Sequence, residues 1–409
     1  MAEVFDNCVL KVENLKITLN DTEIIRGIDL NVNKGEFVGI IGPNGAGKTT
    51  LLKSLNGIYR GSGDIFINGA HIRNMGTREI ARNVSLMHQN TEITFPFTAL
   101  EVVMTGRYPY LKGIRGETAR DYAIARRYME YTGISKLEDK PVTQMSGGER
   151  QRVLFAKTLA QEAGIILLDE PASNLDIAYA EQIFRLSESL CREGKTVIAA
   201  VHDLKIATRY CTRLVLMKDG LVVADGAPSE VITADNLSRA YNVRAIVYKN
   251  RITGELDYYL QQPMKKNGTY KVHVIGGGGS ASGIIRFLAD RGCEISGGVF
   301  PHGDSDLNCA EIFGAETVSC KPFMEIDDES YSRNVALIRE ASMTILCNMP
   351  FGRLNIRNLE AAAHATRLVI IEDDRPETRD YTNGEALKLY NTLKGNAITI
   401  TSAQLHEIL

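Results

Sequence analysis

Apolar positions along this chain recur with two different periods. Between residues 9 and 41 they alternate and bunch into short runs, which predicts strands joined by turns. The last run, Phe37-Val38-Gly39-Ile40-Ile41, delivers the chain into the glycine-rich segment GPNGAGKTT at residues 42–50. Leu51, Leu52, Leu55 and Ile58 then recur at helical spacing and predict a helix that packs one face on a sheet. From Thr98 to Gln161 the pattern is mainly helical, punctuated by Pro96, Pro109 and Pro141. Buried-strand runs return in GIILLDEP (164–171), KTVIAAVHD (195–203) and RLVLMKDGLVVADG (213–226), the last turning at Asp219-Gly220. RAIVYKN and LDYYLQQ predict two further strands.

The segment PMKKNGTY at 263–270 reads as a linker. Beyond it, strands at YKVHVIG, EISGGVF, ETVSC, MTILCN, RLVIIED and AITIT alternate with helical stretches. Such alternation predicts a parallel, doubly wound sheet with its site at the strand C-terminal ends. The expected organisation is a first α/β domain over 1–262, a linker over 263–270 and a Rossmann-like α/β domain over 271–409.

Composition narrows the functional classes. The 409 residues carry 47 basic and 50 acidic side chains for a net charge of -3, so no overall field favours nucleic acid or an anionic membrane, and no nucleic-acid partner is expected. The seven cysteines lack the close spacing of a zinc or redox motif and read as reduced structural thiols. No apolar run approaches the roughly 18 residues of a spanning helix, and the N-terminal residues lack a signal-peptide pattern. A cytosolic chain is expected, with any membrane role supplied by a partner.

Gly42, Pro43, Asn44, Gly45, Ala46, Gly47, Lys48, Thr49 and Thr50 have the Walker A spacing of a P-loop. Backbone amides of such a loop wrap nucleotide phosphates, the lysine neutralises the β and γ groups, and the Thr49 hydroxyl ligates Mg2+. The strand in GIILLDEP ends at Asp169, a Mg2+ partner, followed by Glu170, which can polarise an attacking water. His202 also follows an apolar strand. A second anion-binding helix start stands at MSGGERQR, where Ser146, Gly147 and Gly148 precede an amphipathic run. One nucleotide needs only one such cradle.

These motifs, with Gln89 and SNLD at 173–176, come in the order found in the ATP-binding subunits of ABC transporters, which residues 1 to about 262 closely resemble. The resemblance implies a P-loop NTPase fold with a helical subdomain, ATP and Mg2+ as cofactors, and two subunits facing head to tail. Ser146, Gly147 and Gly148 of one copy would then close on the γ-phosphate held by the other, which accounts for the second cradle. It further implies that Gln89 approaches Mg2+ and the attacking water, that His202 contacts the γ-phosphate, and that Asp176 communicates across the dimer. Integral membrane permease subunits, and indirectly an extracytoplasmic substrate-binding protein, would be partners, with the chain peripheral on the cytoplasmic face of the membrane. The segment TFPFTALEVVMTGRYPY at 94–110 resembles importer ATPases for iron siderophores, haem and cobalamin. One departure is Leu19, which stands where the family places an adenine-stacking aromatic.

In the second domain, VIGGGGSASG sets Gly276, Gly278 and Ala281 in a loose dinucleotide fingerprint, yet the next strand ends in Val299-Phe300-Pro301-His302 without the ribose-binding acid. NAD is not favoured, and a small anionic or phosphate-bearing ligand at the glycine run is expected. Asp304, Asp306, Lys321, Asn348, Arg353, Glu372, Asp373, Asp374 and Arg375 follow predicted strands and would line the crevice or cap helices. The extension resembles one seen on some cobalamin-type and iron-type importer ATPases, and reads as regulatory. Two alternatives stand beside the importer ATPase: a soluble ABC ATPase not coupled to transport, and a fusion whose C-terminal domain is an enzyme acting on the imported compound.

Overall fold

The computed structural model describes residues 7–89, 94–111, 116–172, 176–251, 253–261 and 270–408. Two compact units result: Met1–Asn242 with Lys249–Asp257, and Val243–Tyr248 with Tyr258–Leu409. Most of the expected linker, and Ser173 to Leu175 of SNLD, lie outside the described residues.

The first unit opens with β1 (Cys8–Leu19), β2 (Thr22–Asn33) and β3 (Phe37–Ile41), followed by β4 (Ser62–Ile67), β5 (Ala70–His71) and β6 (Val84–Met87). It is completed by β7 (Ile165–Asp169), β8 (Thr196–Ala200), β9 (Arg213–Lys218) and β10 (Leu221–Gly226). An antiparallel sheet runs β2-β1-β4-β5, and a six-stranded sheet runs β10-β9-β3-β8-β7-β6. In the second sheet only β10 is antiparallel to its neighbour. The sequence periods follow from this placement. β1 buries alternate residues such as Leu10, Val12 and Ile17 because one face is covered, whereas β3, β7 and β8 are buried at every position because both faces are.

The helix Lys48–Leu55 joins the two sheets in one core, where Leu51, Leu52 and Leu55 are each fully buried. Each such side chain stabilises the fold by roughly 2 kcal/mol on area grounds. Ile58 departs from expectation. The helix ends at Leu55 and Gly57 turns with φ 74°, so Ile58 leaves the helical face and is 48 % exposed.

The helical part of this unit comprises the helices Ala99–Met104, Ala119–Tyr131 and Gly147–Ala160. The Gly106-Arg107-Tyr108-Pro109 segment ties them together. Arg107 is buried and donates to Asp121 at 3.0 Å, Glu162 at 2.9 Å and the Ala160 carbonyl at 2.7 Å, while Tyr110 packs under its guanidinium. Gly106 is obligatory, since a Cβ there would lie 2.3 Å from the Lys157 carbonyl oxygen.

β11 (Arg244–Lys249) and β12 (Leu256–Gln261) form a two-stranded ribbon. The second unit then contributes β13 (Lys271–Ile275), β14 (Glu294–Pro301), β15 (Glu316–Cys320), β16 (Met343–Leu346), β17 (Leu368–Ile371) and β18 (Ile398–Ile400). Their order is β15-β14-β13-β16-β17-β18, all parallel, reversing between β13 and β16 as in a Rossmann-like doubly wound sheet. Val272, Val274 and Ile345 face the helices Ser282–Asp290 and Ser305–Ile312. Ile275, Leu346 and Ile370 face the helices Asp328–Glu340, Ile356–Ala362 and Glu385–Lys394.

All seven cysteines are free, and burial pushes the Cys191 thiol up to about 12, the behaviour of an inert structural thiol. Among the described residues no helix is long and apolar enough to cross a membrane.

Candidate functional site

At the C-terminal ends of β3, β7 and β8 a cavity of about 520 Å3 is lined by Asn44 to Thr50, Gln89, Glu170, His202 and Ile24. The loop that forms it depends on glycine at two close approaches. A Cβ on Gly42 would lie 2.2 Å from the Met217 carbonyl oxygen, and Gly47, with φ 99°, would drive one to 2.8 Å from Ile25 Cδ1. Gly47 also caps the helix Lys48–Leu55, so the loop amides and the helix start share one concavity.

Lys48 curls back over the loop, donating from Nζ to the carbonyls of Gly42 at 2.8 Å and Pro43 at 3.0 Å. Burial lowers its pKa, opposed by the charges of Glu170 and Asp169. Thr49 donates from Oγ1 to Asp169 Oδ1 at 2.8 Å, joining groups that stand 120 positions apart in the chain. Asp169 is almost fully buried, and burial raises its pKa against the Thr49 hydrogen bond.

Glu170 follows at the strand end with φ 51°, a left-handed backbone that a non-glycine residue adopts at a cost of about 1 kcal/mol or more. Gln89 Nε2 donates to one of its carboxylate oxygens and His202 Nε2 meets the other. The pair brackets the carboxylate at the mouth of the cavity, with the Glu170 side chain 13 % exposed and His202 45 %. Such a group can take a proton from a water held against a phosphate.

Ser146, Gly147 and Gly148 do not line this cavity. They begin the helix Gly147–Ala160 elsewhere on the unit, where Ser146 and Glu149 form a reciprocal capping box and Lys140 holds the Glu149 carboxylate at 3.0 Å. Ser146 and Gly147 are exposed. Gly148 sits against Tyr179, whose ring a Cβ would meet at 3.1 Å. Asp176 caps the helix Ile177–Arg192 by accepting from the Tyr179 amide at 3.0 Å. Within one chain, therefore, the two helix starts remain apart.

Three contributors escaped the sequence reading. Ile24 lines the cavity, whereas Leu19 is not among its lining residues and packs against the sheet core. Gln151, buried, donates to the Pro171 carbonyl at 3.1 Å and so ties the MSGGE helix to the loop after Glu170. Its only sequence signal is a polar residue on an otherwise buried helix face. Asp203 caps the helix Leu204–Tyr210 immediately after His202.

The second glycine run overturns an expectation. Gly278 donates its amide to Asp304 at 2.9 Å, and the helix start at Ala281 and Ser282 is capped by the fully buried Asp306 at 3.0 and 2.8 Å. Three of the amides expected to hold a phosphate, those of Gly278, Ala281 and Ser282, are occupied by carboxylates, whose charge would also repel one. Asn348 bonds Asp374 at 2.7 Å, and Glu372 is held by Lys394 and Tyr390, each at 2.7 Å. Asn348 and Asp374 thus pair with each other, whereas Glu372 is held by side chains of the helix Glu385–Lys394.

Residues 25–173 match the ABC transporter family and residues 295–406 the MJ0874 family. The chain is 34 % identical over 375 residues to the cobalamin import ATP-binding protein BtuD of Halobacterium salinarum, covering 91 % of this chain and 94 % of that one. It is 36 % identical to the ferric enterobactin transport ATP-binding protein FepC of Escherichia coli, over 60 % of this chain and 91 % of that one. The structure of CbiO1 from Clostridium perfringens, part of the ABC transporter complex CbiONQ, superposes with a TM-score of 0.51 at 30 % identity, over 58 % of this chain and 95 % of that one. The chain belongs to the ABC transporter ATP-binding proteins. It is an ATPase carrying an additional C-terminal Rossmann-like unit.

Proposed function

We propose that this chain is the ATP-hydrolysing subunit of an importer for cobalamin, an iron chelate or haem, acting as a pair on the cytoplasmic face of the membrane beneath a permease. The observation that carries this reading is Glu170, held between Gln89 and His202 at the mouth of the cavity formed by Asn44 to Thr50. Gly42 to Thr50 would wrap the phosphates, with Lys48 turning from its own loop carbonyls to the β and γ groups. The oxygen pair of Thr49 and Asp169 suits Mg2+, a hard cation that keeps few protein ligands beside nucleotide phosphates, and Gln89 would approach it. When bound, the ion neutralises charge on the phosphate oxygens. Glu170 takes the proton of the water that attacks the γ-phosphorus as the bond to the bridging oxygen breaks, and His202 holds the γ-phosphate.

The separation of Ser146, Gly147 and Gly148 from the cavity supports a site completed by a second copy. Phe95 and Phe97, 68 % and 50 % exposed, pack ring to ring at 6.1 Å and offer the permease an apolar foothold close in sequence to Gln89. Cobalamin is the favoured substrate, because the cobalamin-import relative matches 91 % of this chain and the enterobactin relative 60 %. An extracytoplasmic binding protein would deliver it.

Two variants test the reading. Glu170→Gln should bind ATP normally and hydrolyse it about 10² to 10⁴ times more slowly, and it should accumulate as an ATP-bound dimer in light scattering. Near-normal turnover would remove Glu170 from the proposed role. Adding Ser146→Arg should abolish that dimer while one-chain ATP binding persists, because a bulky cation fills the space meant for the partner's phosphate. An unchanged dimer fraction would contradict the split site.

A further inference from the structure

A cavity of about 330 Å3 opens at the carboxyl-terminal edge of the sheet of the second unit, with Val299, Cys320 and Phe351 among its walls. It spans the loops after β14, β15 and β16. The loop after β13 lies beside it, since a Cβ on Gly278 would be 3.9 Å from Pro350, another lining residue. This is the edge at which open parallel sheets bind ligands, beside the reversal of strand order.

Two observations single out its mouth. Phe323, Tyr381, Met324 and Leu354 all line it, and they are 89 %, 73 %, 59 % and 46 % exposed, a concentration of apolar surface in water. Phe323 also has φ 61° directly after Pro322, a turn position where glycine is the ordinary occupant. The chain thus accepts both a left-handed backbone and a solvated ring to keep an aromatic side chain at that point. Strain retained beside a pocket is a mark of function.

The polar surroundings define what can enter. Asp304 takes the Gly278 amide and Asp306 those of Ala281 and Ser282, and the exposed Lys321 and Arg353 of the neighbouring loops are not among the lining residues, so the cavity wall itself offers an anion no cation. Asn355 accepts from the Gly352 amide at 2.7 Å and donates to the Pro350 carbonyl at 2.8 Å, so its oxygen and one of its N–H groups are already engaged. A ligand therefore meets apolar surface and few free polar groups. We propose that this cavity binds an uncharged organic molecule bearing an apolar ring system, with Phe323 and Tyr381 supplying aromatic contact at the mouth. The assignment is independent of the transport reading.

Nile red, an uncharged fused-ring dye, tests it on the full-length chain. One equivalent should bind with blue-shifted emission. Phe323→Gly should weaken that binding about tenfold, the loss of one aromatic contact, without lowering the melting temperature, because glycine relieves the left-handed backbone. Leu354→Ser, a partly exposed position on a different loop, should weaken binding to a similar degree and checks the result without touching the turn. Affinity unchanged in both variants would overturn the proposal. So would saturation at several equivalents, which indicates a sticky surface, or displacement of the dye by ADP-ribose, which indicates a phosphate site.

Discussion

The loop from Gly42 to Lys48 and the loop from Gly276 to Ser280 both leave a buried parallel strand and both lead into a helix, Lys48–Leu55 in one case and Ser282–Asp290 in the other. Both need glycine, with left-handed φ values at Gly45 and Gly47 and at Gly278 and Gly279. What stands opposite the amides separates them. The first loop faces a cavity with a lysine folded over it, whereas the second is closed by Asp304 and Asp306, which arrive from the turn after β14. A glycine-rich strand-to-helix turn therefore specifies donors, and the sign of the neighbouring charge decides whether they meet a ligand or a carboxylate of the same chain.

The contrast breaks most severely if the cation is removed from the first loop. Lys48→Ala deletes the lysine of the cradle and should raise the Kd for ATP by about 10²-fold, the scale of one or two charge-assisted hydrogen bonds to phosphate. Equilibrium binding of a fluorescent ATP analogue measures it. The loop from Gly276 to Ser280 carries no lysine to remove, and ATP should not bind there in wild type or variant.

Much of this was legible from the sequence because strand period and loop chemistry are local. The buried runs at 37–41, 165–169 and 196–200 became adjacent strands, and the six apolar runs after residue 270 became six parallel ones. Long-range partners were not legible. The acids at 304 and 306 were placed at the sheet edge, yet nothing in a linear pattern says that they turn back on a loop about 25 residues earlier. Ile58 kept the helical period after the helix had stopped, because Gly57 and tertiary packing end the helix. Ile24 lines the cavity of the first unit from β2, outside any motif.

Acid sharpens the difference between the units. His273 is fully buried in the second sheet, its Nδ1 within 3.0 Å of Ser296 Oγ, and burial drives its pKa down to about 4. Its folded-state pKa lies below the unfolded value near 6.5, so the unfolded chain binds the extra proton first. Stability is full above about pH 6.5 and declines as pH falls toward 4, by a total on the order of 3 kcal/mol. The unfolding transition that ATP does not shift should show this decline, and His273→Gln should flatten it. An acid slope identical in the variant would remove His273 as its source.

The smallest expected effect tests the comparison most directly. Asp306 is fully buried and accepts from the Ala281 amide, the Ser282 amide and the Ser282 hydroxyl at 3.0, 2.8 and 2.6 Å. It completes a helix start much as a bound anion would. Asp306→Ala should cost about 2 kcal/mol, the range for losing a cap and leaving buried donors unpaired. It should also expose those donors at the positive end of the helix. Inorganic phosphate at tens of millimolar should then recover part of the lost melting temperature in the variant and leave the wild type unmoved, with chloride at equal ionic strength as the control. If phosphate stabilises the wild type as much as the variant, the carboxylates do not bar anions from the second loop. The two loops would then be alike in chemistry as well as in pattern.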